Sequence, residues 1–379
     1  MWPVTPPPLA PEWRLHLLES RRRPAPAIMA FRRSGGDPKE PTLSLLRALL
    51  TAVFVLVAIA FGVWGTLALY YRAPFPGPAL GPCALWAAVM LGALIGFFTR
   101  RRRLALTIMA GLTIALLAWW ATLRPSGNRD WAPEVARAVR GAVSGDTLTL
   151  TDARNFDWRG ESDFTPRWET RRYDLSKLVS VDLIADYWAG EAIAHTMVSF
   201  GFADGQYLVW SVELRRVRGR AWSALAGFFK EAELVTIAGD ERDLIGLRAK
   251  VRGEDLRLYR LKATPAQARE ALLAYVDEAN DLAARPRWYN TATTNCTTVV
   301  FTIARIVEPG FPLDWRVLLS GYFPDYAYDH GALDRSLPFA ELRERAGISA
   351  RAKAADADAS AEFSTAIRAG TPEASASPR

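Results

Sequence analysis

Three long apolar stretches in the first third of the chain constrain its fold more than any other feature. They cover residues 44–70, 80–98 and 104–123. Each is close to the ~20 residues that an α-helix needs to cross the hydrocarbon core of a bilayer. A cleaved signal peptide does not fit, because the first stretch begins too late and is too long. The sequence therefore predicts a three-helix transmembrane anchor over residues 44–123.

Basic residues beside these stretches predict the orientation. The chain carries a net charge of +7, which suits either nucleic acid or the flanks of membrane spans. No zinc-finger or RNA-recognition pattern is present, so no nucleic-acid partner is expected. The turn at residues 99–103 holds four consecutive arginines, and the segment before the first span is also rich in Arg. The positive-inside rule then predicts a multi-pass protein with a cytoplasmic N-terminus and the domain after Leu123 on the outer side. In a two-membrane bacterium this is the inner membrane, with the domain in the periplasm.

The remaining sequence divides into three regions. Residues 1–43 are rich in Pro and Arg and are expected to form a disordered cytoplasmic N-terminus. Residues 124–345 mix strand-like and helical patterns, which predict an α+β domain with an antiparallel sheet. The chain from Arg351 onward is mostly Ala, Asp, Ser and Pro, so residues 346–379 are expected to form a disordered tail.

The clearest local signal in the domain is a β-hairpin followed by two helices. The runs IAHTMVSFGF and QYLVWSVELRR flank a turn at Asp204-Gly205. Further strand-like runs cover residues 233–237, 244–251 and 256–262. A capping box with proline at the first helical position, Thr264-Pro265-Ala266-Gln267, then starts a helix. A second apolar helical pattern begins close to Cys296.

Cys296 stands at the start of this second helix and not on its apolar face. A cysteine kept for packing would occupy a position such as Val300 or Ile303. The free amides and the macrodipole at a helix start favour an anion, so a thiol placed there ionises more readily. The other cysteine, Cys83, lies in the second span and is expected to be a small apolar filler, with a disulfide to Cys296 as the less favoured alternative. So few cysteines and histidines exclude a disulfide scaffold and a closed structural zinc site, and no cofactor is implied.

A thiolate nucleophile needs a base, and His195 on the first hairpin strand is the best-placed histidine. By strand alternation Ser211 and Glu213 share one face of the second strand. If that is also the face of His195, either side chain could orient the imidazole, as the third group of a catalytic triad does. The alternative is that His195 is an ordinary structural histidine and that Glu213 only pairs with Arg215.

These stretches resemble a known family. HTMVSFGFADGQYLVWSVELRR, ERDLIGLR and RWYNTATTNCTTVVF are similar to the Lnb N-terminal periplasmic domain family over about residues 173–331. A strand histidine followed by an Asn-Cys pair also resembles the circularly permuted NlpC/P60 thiol enzymes, the lecithin:retinol acyltransferase-like group. The resemblance implies a permuted papain-like (NlpC/P60-type) domain with Cys296 as nucleophile and His195 as base. It also implies supporting roles for Asn295, Ser211, Glu213, Arg215, Arg242 and Asp243. In that family the membrane helices are associated with the end of the domain, whereas here they precede it.

Three functions follow as expectations. The resemblance, which implies bacterial lipoprotein N-acylation, and the three spans favour a cysteine acyltransferase that works through a thioester. A peptidase or amidase of the cell envelope with the same Cys-His dyad is the alternative, and a non-catalytic binding protein is the third. The expected partners are membrane lipids and bacterial lipoproteins or other acylated substrates; a membrane partner protein is possible, but its identity is unknown.

Several other residues have an expected place in such a site. The oxyanion would be held by amides at the helix start together with a side chain from the region of Tyr289 and Asn290. Arg242 and Arg248 would bind a lipid head group, or form solvated ion pairs with Glu241 or Asp243. The apolar stretch at residues 221–229 would be a lid or wall for an acyl chain, or an ordinary helix packed on the sheet.

Overall fold

The computed structural model describes residues 39–72, 80–221, 223–355 and 360–372. The described residues form two compact units, one that ends at Leu56 and one that begins at Val57. Three long helices come first: α1 (Lys39–Arg72), α2 (Leu80–Phe97) and α3 (Arg102–Thr122). Each is long and apolar enough to cross a membrane, which confirms the three predicted spans. The N-terminus was predicted to be disordered over residues 1–43, of which residues 1–38 lie outside the described residues.

The second half of α1 packs closely against α2. The indole Nε1 of Trp86 donates to the Gly62 carbonyl at 2.9 Å, and a Cβ at Gly65 would lie 2.5 Å from the Trp86 ring. Cys83 Sγ donates to the Thr66 carbonyl at 3.4 Å. Both cysteines are free, so Cys83 acts as a small packing residue and the disulfide alternative is wrong.

The domain after the spans is built on a large sheet. Its strands are β1 (Arg140–Ser144), β2 (Thr147–Arg154), β3 (Asp157–Trp158), β4 (Phe164–Thr165), β5 (Trp168–Asp174), β6 (Leu178–Tyr187), β7 (Ala194–Phe202), β8 (Tyr207–Arg215), β9 (Glu233–Gly239) and β10 (Asp255–Arg260). The main sheet has the order β1-β2-β9-β8-β7-β6-β10, with β5 added on β2, and β3 and β4 form a separate pair. Neighbouring strands are antiparallel, except that β2 and β9 meet in parallel at Arg154 and Gly239. The predicted α+β class and the hairpin of β7 and β8 are confirmed.

Helices cover both faces of this sheet. One buried cluster joins it to α5 (Pro265–Ala284) and α6 (Cys296–Val307). The other joins it to α4 (Glu241–Gly246), the π-helical turn Leu247–Arg252, α9 (Ser349–Ala354) and α10 (Ser360–Arg368). Two further helices, α7 (Phe323–Asp329) and α8 (Phe339–Arg345), lie between α6 and α9 in the sequence. The inner strands β6, β7, β8 and β9 are therefore buried on both faces.

The predicted strand over residues 244–251 is wrong. The Asp240 side chain accepts a hydrogen bond from the Arg242 amide and so caps the start of α4, and the π-helical turn follows it directly. Leu244, Ile245 and Ala249 are fully buried against the sheet. A short apolar run gives the same hydrophobic signal for a buried strand and a buried helical turn.

The predicted disordered tail is also wrong for most of the described residues after position 345. Helices α9 and α10 form there, and Ala352, Phe363 and Ile367 are fully buried in the second cluster. The Arg368 guanidinium pairs with the buried carboxylates of Asp182 and Glu241. Because these contacts hold the segment on the sheet, its Ala-rich composition does not leave it unfolded.

Candidate functional site

A capping box places Cys296 at the first position of α6. Asn295 Oδ1 accepts from the Thr298 amide at 3.0 Å, and Thr298 Oγ1 accepts from the Asn295 amide at 2.8 Å. Asn295 Nδ2 also donates to the Thr291 carbonyl at 2.7 Å, which fixes the loop before the helix. The amides of Cys296 and Thr297 then lie in the first helical turn, where no intrahelical acceptor exists for them. The predicted helix start is confirmed, and it points the positive end of the helix at the thiol.

His195 lies at the start of β7 and is held by two side chains of β8. Its Nε2 is 2.7 Å from Ser211 Oγ, and Ser211 Oγ donates to Glu213 Oε1 at 2.6 Å. Because the hydroxyl proton goes to Glu213, Ser211 accepts from the imidazole Nε2–H. The same Nε2 lies 3.3 Å from Glu213 Oε1. Ser211 and Glu213 therefore share the face of His195, and Nδ1 remains available for the thiol.

The thiol and the imidazole come from opposite faces of the sheet. Met197 and Ser199, which alternate with His195, face α4 and the second cluster, whereas Cys296 belongs to the first cluster. Pairing between β7 and β8 ends at Met197 and Ser211, before the strands reach His195. Thr196, the next residue of β7, faces α6, since its Oγ1 lies 2.9 Å from Thr297 Oγ1. Cys296 Sγ lies 3.8 Å from the same Thr297 Oγ1, and His195 is near enough for its charge and hydrogen bonding to act on the thiol.

The electrostatics of this contact favour a charged pair. Burial opposes the imidazolium, but the charges of Glu213 and Cys296 outweigh it and raise the pKa of His195 to about 10. Burial likewise opposes the thiolate, but the charge and hydrogen bond of His195 outweigh it and lower the pKa of Cys296. Burial also opposes the Glu213 carboxylate, but the charges of His195 and Arg248 outweigh it and hold the pKa of Glu213 well below the usual range. These directions favour the thiolate with imidazolium over what burial alone would give.

Arg248 and Asp186 extend this chain of charges behind the histidine. Arg248 Nη2 donates to Glu213 Oε1 at 2.8 Å, and its Nε lies 2.9 Å from Asp186 Oδ2. Asp186 is also the register partner of His195 on β6. Burial and the Asp186 carboxylate raise the pKa of the adjoining Glu254 to about 7. The expectation that Arg248 binds a head group or a solvated partner is wrong, because the residue is buried and balances two carboxylates.

Two predicted supporting residues lie in other networks. Arg215 donates to the carbonyls of Val135 and Ala136, at 3.0 and 2.6 Å. Arg242 donates to Asp157 Oδ1 at 2.6 Å, whereas the sequence suggested Glu241 or Asp243 as its partner. These contacts join α4 and β8 to the N-terminal part of the domain, so their roles are structural.

Asp243 and Asn290 are structural as well. The Asp243 carboxylate accepts two hydrogen bonds from Arg154, at 3.0 and 2.9 Å, and is fully buried. Asn290 Oδ1 accepts from the amides of Ala292 and Thr293, both at 3.0 Å, and so shapes the loop that leads to Cys296.

Tyr289, in the loop before Cys296, is near enough to feel the charge of the thiolate. Burial is the main cause that raises the pKa of its phenol, and the charges of Cys296 and Glu213 add to it. The phenol therefore stays protonated and can donate a hydrogen bond in the site. In the part of the chain that the structure describes, no group of three or more His, Cys, Asp or Glu residues is arranged to hold a metal ion.

The loop at residues 223–230 connects this site with the ends of the spans. Thr291 Oγ1 donates to the Ala224 carbonyl at 2.7 Å, and a Cβ at Gly227 would lie 3.4 Å from the Tyr289 ring. At its other end the Phe229 ring stacks on Tyr71 of α1, with centroids 5.4 Å apart. In place of the ordinary helix that was one of the two expectations for this stretch, the described residues form a 3₁₀ turn, Ala226–Phe228. Trp288, beside Tyr289, also reaches the ends of the spans: its ring lies 4.9 Å from the Arg72 guanidinium, and its Nε1 donates to the Leu123 carbonyl at 3.4 Å.

The fold and the site define a membrane protein whose sheet-containing domain carries a buried thiol–imidazole pair. The model of the Lnb N-terminal periplasmic domain family matches residues 164–321 and supports that family for this part of the chain. The matched region runs from β4 to the turn before α7 and includes both His195 and Cys296. With three apolar helices ahead of it, the chain is a membrane protein with a periplasmic domain. No curated protein and no solved structure matches the chain.

Proposed function

We propose that the protein is a membrane-anchored cysteine acyltransferase that acts on lipid or lipoprotein substrates. One observation carries the proposal. His195 lowers the pKa of Cys296, and Tyr289, in the loop before Cys296, packs on the loop whose Phe229 contacts the end of the first span. A nucleophile so close to the bilayer suits substrates that remain in it, because tethering raises their effective concentration.

The reaction would proceed in two half-reactions. The Cys296 thiolate attacks the carbonyl carbon of an acyl ester, and the helix-start amides of Cys296 and Thr297 stabilise the oxyanion. His195 gives its Nδ1 proton to the departing alcohol as the ester bond breaks, which leaves a thioester on the sulfur. An amine then attacks the thioester, His195 takes the proton from nitrogen, and the carbon–sulfur bond breaks to release the amide. The thiolate–imidazolium pair is restored.

The test is to trap the acyl-enzyme on the full chain in phospholipid nanodiscs of one defined acyl composition. Without an amine acceptor, intact mass spectrometry should show one acyl group on Cys296, and hydroxylamine should remove it. Adding a lipid-modified peptide with a free amino terminus should move the acyl group to that amine. His195→Ala should slow transfer by about 10²–10⁴-fold, whereas His330→Ala, at the end of α7, should not.

The absence of an acyl adduct, or equal transfer by Cys296→Ser, would remove the acyltransferase. A second candidate, a cysteine peptidase or amidase, is favoured by a groove of about 860 Å³ between α5 and α6. Its wall includes Thr294 and Thr298 on either side of Cys296 and the carboxylates of Glu270 and Asp277. Cleavage of an envelope peptide by the same preparation, without an acyl adduct, would establish this activity instead.

A further inference from the structure

A group of cations stands where the spans meet the domain. Arg72 is the last residue of α1, Arg124 follows α3 by two residues, and Lys230 closes the loop at residues 223–230. Lys230 follows Phe229, whose ring stacks on Tyr71 next to Arg72, and its Nζ donates to the carbonyl of Trp120, four residues before Arg124. After burial, the charges of Arg124 and Arg72 accordingly lower the pKa of Lys230. The usual place for basic residues is the opposite, cytoplasmic side of the membrane.

The charges of Glu231 and Glu233 act on Arg72, but the direct contacts of the three side chains are with carbonyls and rings. Lys230 Nζ donates to the Trp120 carbonyl at 2.8 Å and lies 4.7 Å from the centre of the Trp120 ring. The Arg72 guanidinium lies 4.9 Å from the centre of the Trp288 ring, and its buried Nε has no hydrogen-bond partner among the described residues. Within those residues none of the three cations forms an ion pair with a carboxylate, unlike most arginines of the domain. The cluster therefore has capacity for an anion.

Apolar side chains flank the cluster on the same loop. Leu225 and Phe228 are exposed by 49% and 43%, while Phe229 between Phe228 and Lys230 is buried against Tyr71. Exposed apolar groups at the end of a span contact the acyl chains of the bilayer, and cations just beyond them lie at the level of the lipid phosphates. This order of apolar and basic groups matches a phospholipid and not a free inorganic anion.

We propose that Arg72, Arg124 and Lys230 bind the phosphate of a phospholipid in the domain-side leaflet, with its acyl chains beside Leu225 and Phe228. Guanidinium and ammonium donors form charge-assisted hydrogen bonds with phosphate oxygens. Because Gly227 packs on Tyr289, a lipid held here has its ester groups near the Cys296 loop. That this lipid is the acyl donor rests on the proposed function, whereas its binding does not.

The test measures binding to the full chain in detergent by isothermal titration calorimetry. The probes are dihexanoyl phosphatidylglycerol and inorganic phosphate. The lipid should bind at sub-micellar concentration, and inorganic phosphate should bind at least tenfold more weakly. Lys230→Gln and Arg124→Gln should each weaken lipid binding by about tenfold, the worth of one charge-assisted hydrogen bond. Arg140→Gln, which removes an exposed arginine of β1, should leave it unchanged.

Lipid binding that is equal in Lys230→Gln, Arg124→Gln and Arg140→Gln would overturn the proposal, and so would equal affinity for the lipid and inorganic phosphate. Cys296→Ser should bind the lipid like the unaltered chain, because the sulfur is not part of the phosphate site. Failure of acyl transfer with intact lipid binding would therefore count against the proposed function alone. Loss of lipid binding with an intact acyl adduct would count against the phosphate site alone.

Discussion

At the scale of single residues, the ionised thiol depends on a balance between burial and neighbouring charge. Burial alone would keep Cys296 as a thiol and His195 as a neutral ring. The charge of the Glu213 carboxylate outweighs burial at His195 and raises the pKa of the imidazole. The charge of the resulting imidazolium outweighs burial at Cys296 and lowers the pKa of the thiol. Arg248 keeps Glu213 ionised but opposes the charge on His195. The reactivity of Cys296 is thus set by groups on strands β6 and β8 as well as by its own helix.

We predict that His195→Ala moves the pH dependence of Cys296 alkylation to higher pH. In the unaltered site the thiolate persists below the usual thiol pKa, and its imidazolium partner is lost only as the pH rises through about 10. Without the imidazole, burial raises the pKa of Cys296, so the iodoacetamide rate at pH 6 should fall by at least about tenfold. The rates are measured by mass spectrometry on the full chain carrying Cys83→Ala.

The matched control for this prediction is His330→Ala, which removes a histidine at the end of α7. Its alkylation profile should coincide with that of the unaltered chain. If the His195→Ala profile also coincides with it, the imidazole does not stabilise the thiolate.

We predict that Arg248→Met destabilises the domain by about 3–5 kcal/mol, because it leaves Glu213 and Asp186 without their shared buried cation. Urea unfolding of the full chain in detergent, followed by tryptophan fluorescence, measures the change. Arg159→Met removes the exposed ion pair with Asp163 and should cost no more than about 1 kcal/mol. Equal effects of the two substitutions would show that the buried network does not stabilise the fold.

The residues of the candidate site differ in how far the sequence could predict them. Cys296, His195, Ser211 and Glu213 could be found because capping and strand alternation are local rules that fix which way a side chain faces. Arg242 and Arg215 could not be placed, because their partners come from distant parts of the chain. The sequence analysis did not identify Asp186. Its spacing of four residues from Asp182 puts two carboxylates on one face of a buried strand, and this pattern could have indicated a buried ionic network.

At the scale of elements, the clearest difference between sequence and structure is in α10. Its composition resembles that of a disordered segment, but Phe363 and Ile367 are four residues apart and lie on one helical face. Both are fully buried, and Arg368 completes the ion pairs of Asp182 and Glu241. Average composition does not reveal such a pair, because two apolar residues change it little. Two buried side chains are nevertheless enough to hold a short helix on a sheet that has already formed.

We predict that Phe363→Ala destabilises the domain by about 3–5 kcal/mol, the usual cost of removing a buried aromatic ring. The same urea titration measures the loss, and limited proteolysis should show earlier cleavage within residues 346–372. Thr365→Ala, on the exposed face of α10, should change the stability by less than about 0.5 kcal/mol. A segment that does not pack on the sheet would show no difference between the two variants.

At the scale of the whole molecule, the spans are the part that the sequence predicted most completely. Twenty apolar residues in a row admit few alternatives to a membrane helix, so all three were found with bounds close to those of the structure. The order of strands in the sheet could not be predicted, because β9 lies between β2 and β8 and therefore depends on pairing between distant segments. The permuted papain-like arrangement remains a prediction, since no solved structure matches.

We predict that the turn between α2 and α3 and the sheet-containing domain lie on opposite sides of the membrane. In a chain with Cys83→Ala and Cys296→Ser, a cysteine introduced as Thr99→Cys should react with a membrane-impermeant maleimide only after the inner membrane is opened. One introduced as Arg140→Cys, on the exposed β1, should react once the outer membrane alone is permeable. The arginines at residues 100–103 place the turn on the cytoplasmic side. Labelling of both cysteines from the same side would contradict the prediction.

The separation of the reacting pair along the chain has a consequence for how the protein matures. His195 and Cys296 meet only after the hairpin, the intervening helices and α6 have assembled, which makes their contact a late event in folding. Until then Cys296 lacks the imidazolium that lowers its pKa. We therefore expect the sulfur to acquire its full nucleophilic character only in the correctly folded domain.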